Sequence, residues 1–194
     1  MEYQKRSPRS HFWHFRFIAI CIFAVMVLIL FSCATMRNIP ELGEASIIEN
    51  IPFFPQETYQ CGPASLAGVL NYWNVKVSPE TIAKKIYSKS AKGTLGLDIV
   101  LYAQKKGFNV IQSKGSIKSI KENIDLGYPV IALVDYGFWV YKQNHFMVIV
   151  GYNRNGIIAN SGIEQFKFIP EEEFLRSWER TDFWELLIKP GKVQ

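Results

Sequence analysis

The chain has 194 residues, 48% of them apolar and 14% aromatic, which is ample for one compact core and excludes a disordered polymer. Of its formal charge of +5, Lys5, Arg6, Arg9 and Arg16 against Glu2 place +3 in the first 32 residues and leave only +2 for the rest. The later lysines are scattered and form no stripe, so nucleic acid is not expected as a partner.

The N-terminus reads as an export signal. Basic residues precede an uncharged apolar run over residues 17–31, and small residues follow. Fifteen residues fall short of the roughly 20 that a membrane-spanning helix needs. Leu30-Phe31-Ser32-Cys33 resembles a bacterial lipoprotein processing box, with a small residue before the cysteine that takes the lipid. The expected organisation is therefore a signal peptide over 1–32, a lipidated Cys33, a tether over 33–50, one domain over 51–190 and a short tail over 191–194. An uncleaved signal anchor is the alternative. Either way the body is exported and membrane-tethered, facing the periplasm or the cell exterior. Ala34 after Cys33 favours the outer membrane in a host with two. Cys21 leaves with the signal and Cys33 carries the anchor, so Cys61 is the one free thiol of the mature body and no disulfide framework is possible. An exported protein that keeps an unpaired cysteine accepts an oxidation risk, which a working thiol explains.

Within the domain, Pro52 and Pro55 hold the approach extended, and apolar spacing predicts a helix over 64–74. Ser78-Pro79-Glu80 opens a second helix running to about Tyr87, and a polar loop covers 88–93. Thr94 is expected to open a third helix, closed by Lys105-Lys106-Gly107, with a strand over 108–112. Ser116 caps a fourth helix reaching about Asp125. Beyond Gly127 the texture turns to strands: 129–135, 145–152, 157–159, 165–169 and 183–188, with Asn153-Arg154-Asn155-Gly156 as a hairpin turn and a short helix from Pro170. Helices first and strands afterwards predict a segregated α+β fold.

The chemistry centres on Gln56-Glu57-Thr58-Tyr59-Gln60-Cys61-Gly62-Pro63. Cys61 sits where an irregular segment becomes a helix, so unpaired N–H groups and the helix dipole are expected to lower its thiol pKa and favour nucleophilic catalysis. His145 is the sole histidine of the mature chain and opens a strand, which makes it the candidate general base. Asn160 ends the next strand, one hairpin on, and is the expected orienter of that base, with Ser161 as the alternative. Gln56 can supply an amide donor to an oxyanion beside the backbone N–H of Cys61. One histidine and one thiol fall short of a catalytic metal site, so neither metal nor cofactor is expected. Tyr59, Tyr136, Phe138, Trp139 and Tyr141 crowd these motifs, and loop 135–143 is a candidate substrate wall.

Gln56 with Cys61-Gly62-Pro63-Ala64-Ser65-Leu66, then Asn144-His145-Phe146-Met147-Val148-Ile149-Val150-Gly151-Tyr152, then a strand ending in Asn160, resembles the papain-like peptidases that remove double-glycine leaders from bacteriocins, and more closely their stand-alone relatives. That family usually carries Asp, often followed by Pro, where this chain has Asn160-Ser161. The resemblance implies a papain-like fold, Cys61 as nucleophile, His145 as base and acid, Asn160 as orienter and Gln56 in the oxyanion hole. It implies a cysteine peptidase acting on exported peptides or proteins, with no transporter or secretion partner identified. A papain-like binding module without turnover is the second reading. Cell-wall peptide hydrolysis of the Cys-His-His kind wants a second histidine that the mature chain lacks.

Overall fold

A computed structural model describes residues 45–56 and 60–191. The elements are β1 (Ser46–Ile47), α1 (Cys61–Tyr72), α2 (Pro79–Ile86), β2 (Tyr87–Ser88), β3 (Gly93–Thr94), α3 (Gly96–Lys105), β4 (Asn109–Lys114), α4 (Ile117–Asp125), β5 (Val130–Asp135), β6 (Asn144–Asn153), β7 (Gly156–Ser161), β8 (Glu164–Pro170), α5 (Glu171–Glu179) and β9 (Trp184–Lys189). Among the described residues, four of the five helices precede the strands of the main sheet's centre, as the α+β reading expects.

That sheet has seven strands in the order β4-β9-β5-β6-β7-β8, with β1 on β6 beyond the end of β5. All its pairings are antiparallel. Successive strand residues face opposite sides, yet every residue of β7 and nearly every residue of β5 and β6 is buried. Both faces of the centre are therefore covered. α1 and α4 pack against β6, and α5 packs against β5, β7 and β8.

Local chemistry sets the helix ends. Ser78 accepts a hydrogen bond from the Thr81 amide and Pro79 takes the first helical position, where a missing N–H costs nothing. Ser116 and Ser119 bond each other's backbone amides in a reciprocal capping box. α1 differs, because every residue from 62 to 70 is buried. It is a core helix, apolar on all sides, and the Trp73 indole just past its end donates to the Ile188 carbonyl of β9 at 2.9 Å.

α1 begins at Cys61 itself, at the helix N-terminus where the sequence placed it, because glycine and proline fit a first turn that needs no intrahelical donors. Two other expectations are corrected. Thr94 does not cap α3: it pairs with Tyr87 in the β2–β3 hairpin, and α3 starts at Gly96 after Leu95. The folded body also begins before residue 51, since Ser46 and Ile47 pair with β6 and Ile48 is buried in the core. The signal, Cys33 and the first part of the tether lie outside the described residues.

Candidate active site

α1 presents Cys61 at its N-terminal end with no acidic residue in the first turn. Pro63 lacks an N–H, and Gly62 lies so close to Thr94 that a Cβ there would stand 2.8 Å from the Thr94 Cβ. Gly62 thus lets β3 close over the helix end. Gly68 performs the same service on the approach segment, where a Cβ would meet the Pro52 carbonyl oxygen at 2.9 Å. Those two contacts fix the thiol against the end of β6.

Gln56, Cys61, Thr94, Tyr136, Gln143 and His145 line one cleft of about 650 Å³. Three of the residues singled out by sequence therefore meet in one place. The Gln56 amide donates to the Gly162 carbonyl at 2.9 Å, which anchors this segment to the β7–β8 turn. Its side-chain Oε1 is buried without a hydrogen-bond partner among the described residues. A buried carbonyl oxygen left unpaired is costly, and a hydrogen-bond donor reaching it would remove that cost.

His145 is the second residue of β6, and its Nε2 lies 3.0 Å from Ser161 Oγ. The Tyr136 ring stacks at a tilt of 32°, with centroids 5.7 Å apart. Burial pushes the imidazole pKa down to about 4, and the nearby Lys167 ammonium adds to the effect. Lys167 is itself held by Glu164 at 2.7 Å. Burial also raises the Tyr136 phenol pKa, opposed by Lys167 and by a hydrogen bond with Ser161. Tyr136, Ser161 and His145 form one connected group.

The two candidate orienters, Asn160 and Ser161, differ in what they touch. Asn160 lies opposite Val148, deeper in the sheet, and its Oδ1 accepts from the Phe166 amide at 3.1 Å. Its Nδ2 is buried without a partner among the described residues. Neighbouring residues of a strand point to opposite sides, so Asn160 and Ser161 cannot both face the imidazole. A register running on from Val148↔Asn160 sets Ser161 across from Met147, diagonal to His145 on the same side. Ser161 is the side chain that touches the imidazole.

The expected fall of the thiol pKa is corrected. Burial dominates and raises the Cys61 pKa, while the backbone amides of Phe146, Gly62 and Cys61 itself pull the other way. With the imidazole pKa low and the thiol pKa high, both groups lining this cleft are uncharged at neutral pH. The Phe146 amide was not foreseen from sequence, although it follows His145 directly. Tyr136 was visible only as one of several aromatics near the motifs. Among the described residues no group of three or more His, Cys, Asp or Glu is placed to hold a metal ion.

The family model described as Peptidase_C39 like matches residues 48–184. Three solved structures are similar across nearly their whole length. A C39-like peptidase from Bacillus anthracis has a TM-score of 0.66 at 18% identity, covering 77% of this chain and 100% of that one. The peptidase domain of Streptococcus ComA, a bifunctional ABC transporter of a quorum-sensing pathway, scores 0.59 at 25% identity over 73% and 99%. A double-glycine-motif protease from an AMS/PCAT transporter, solved with its leader peptide, scores 0.59 at 26% identity over 73% and 92%. No curated protein sequence matches the chain. The fold shared with these domains is the papain-like one.

Proposed function

The chain belongs to the Peptidase_C39 like family, and from that premise we propose that it is a cysteine peptidase in which Cys61 is the nucleophile, His145 the general base and acid, and Ser161 the residue that orients His145. The observation that carries this reading is that His145 lines the same cleft as Cys61 while its Nε2 lies 3.0 Å from Ser161 Oγ. An imidazole engaged through Nε2 keeps Nδ1 for the thiol. To accept a proton there it must carry its own on Nε2 and donate it to Ser161 Oγ.

The reaction then starts from neutral partners. His145 takes the thiol proton as sulfur attacks a peptide carbonyl, and the imidazolium returns that proton to the leaving amine. Water activated by the neutral imidazole hydrolyses the thioester and restores the thiol. The Gln56 side-chain amide and the Cys61 backbone N–H are the candidate donors to the oxyanion. The substrate is a peptide laid in the cleft, a role supported by the leader peptide bound to the similar AMS/PCAT protease.

The basic and apolar N-terminal sequence supports export and tethering through a lipid on Cys33. Gel mobility of the chain labelled with a fatty-acid probe, compared with Cys33→Ala, tests that part; no incorporation would leave only a signal anchor or a released domain. For the activity, cleavage of a peptide library by the chain and by Cys61→Ala is decisive. Products that persist in the variant would remove Cys61 from the mechanism. The raised thiol pKa gives the second reading, a binding module without turnover, its specific support. Peptide retention without cleavage by either protein would establish it.

A further inference from the structure

The segment joining β5 to β6 carries Phe138, Trp139, Val140 and Tyr141 at 84%, 86%, 85% and 68% exposure. Single exposed apolar side chains are ordinary on a protein surface, whereas four large ones in succession mark an interaction site. The tip is held in shape. The Tyr141 amide donates to the Phe138 carbonyl at 3.0 Å, and Trp139 adopts a φ of 52°, a region that bulky residues rarely occupy. Its base is fixed by Asp135, only 2% exposed, which accepts the Gly137 and Gln143 amides at 2.8 Å each and pairs with Arg180 at 3.1 Å. Arg180 also donates to the Gly137 carbonyl at 2.6 Å. A buried carboxylate with a partly exposed arginine thus props an apolar turn out into solvent.

We propose that this tip enters the interfacial layer of a phospholipid bilayer and gives the domain a second hold on the membrane beside its cleft. Aromatic residues with an adjoining lysine are what that layer accepts, the rings at the level of the headgroups and the cation at the phosphates. Lys142 follows the tip, and Lys89 and Lys92 lie on the facing loop, where residues 88–93 carry no acid. Lys92 and Lys142 both border the cleft, so the tip is flanked by positive charge suited to anionic lipid. The tip residues themselves do not line the cleft, although Tyr136, Lys142 and Gln143 on either side of them do. A convex turn outside the cleft is a poor wall for a peptide and a good wedge for lipid. Attachment at the other end is compatible. β1 joins β6 at Gly151 and Tyr152, about 25 Å along the strand from Asn144, and the 13 residues from 33 to 45 can reach at most roughly 45 Å.

The inference rests on the membrane tether proposed above, and the test separates the two. The full chain is mixed with phosphatidylethanolamine–phosphatidylglycerol vesicles with and without brominated acyl chains, and its tryptophan emission is compared with that of Trp139→Phe. Expected are flotation of both proteins, a blue-shifted component in the parent that brominated lipid quenches, and loss of that component in the variant. Flotation with quenching that Trp139→Phe leaves unchanged would overturn the loop's role while the tether stands. Absence of flotation would overturn both. A Trp139 emission that ignores vesicles and shifts on addition of a peptide substrate would assign the tip to the peptide instead.

Discussion

Cys61 and His145 at the cleft are half-buried and Ser161 behind His145 is buried, although each carries a polar group; a few residues before His145, Phe138 to Tyr141 stand largely in water although each is mainly apolar. Both arrangements oppose the ordinary sorting of side chains, in which burying an unpaired polar group and exposing apolar area each cost free energy. Between these regions runs the interior of β6, where Phe146, Met147, Val148, Ile149 and Val150 are buried as composition demands. Sorting fails where the fold meets a ligand or a surface, which is where local rules are expected to yield to function.

The strongest way to break the comparison is to remove the withdrawn thiol. Cys61→Ala is expected to lower peptide turnover by at least about 10³-fold, with circular dichroism unchanged, because the Cβ that packs the helix end remains. Protonating the withdrawn imidazole comes next. With a pKa of about 4, His145 stays a competent base well below neutrality, so kcat/KM is expected to hold to about pH 5 and to fall as pH drops through 4. The sign for stability is the same. A depressed pKa favours the neutral form in the folded state, so this contribution is complete above the unfolded value of 6.5 and is lost as pH falls from there toward 4. A profile with its acid limb near 6.5 would show an imidazole in ordinary contact with solvent.

Adjacent residues on β7 sharpen the contrast. Ser161→Ala is expected to reduce kcat by about 10- to 100-fold, less than the roughly 10⁴ lost with a buried carboxylate orienter, because a hydroxyl holds the imidazole more weakly. Asn160→Ala is expected to leave kcat near that of the parent and to cost about 1 to 3 kcal/mol of stability, since the Phe166 amide loses its buried acceptor. Reversed outcomes in steady-state kinetics and denaturant titration would return the orienting role to Asn160. Asp135→Ala should cost about 2 to 4 kcal/mol, read as a fall in Tm, because two amides and Arg180 lose a buried partner. The smallest expected effect is that of Trp139→Ser, within about 0.5 kcal/mol of the parent, as that side chain supports nothing in the core.

Much of this site was legible before folding was considered. Proline and glycine around Cys61 marked a helix start, the one histidine beyond the N-terminal apolar run had to be the base if there was one, and Ser78 and Ser116 announced their helices as caps. Each rests on a local rule. The orienter was not legible, because Asn160 and Ser161 both suit the end of a strand, and choosing between them requires the register across the β6–β7 hairpin. That register includes an irregularity between Ile149 and Gly151, which no turn signal predicts. The thiol pKa was misjudged for a related reason. The helix dipole can be read from sequence, whereas the depth of burial that outweighs it comes from β3 closing over Gly62 and from β6 packing against α1.

By itself the sequence determined the α+β order, the positions of most helix ends and the choice of one cysteine and one histidine that line a common cleft, because these follow from periodicity, capping and the scarcity of reactive residues. Tertiary structure alone decided which neighbour of His145 bonds it, how far the thiol and imidazole are withdrawn from water, and that four apolar residues stand outside the core. Those outcomes depend on strand register and on the pairing of buried Asp135 with the partly exposed Arg180, 45 positions away. Such distances are closed only by the packed sheet, so no local pattern in the chain encodes them.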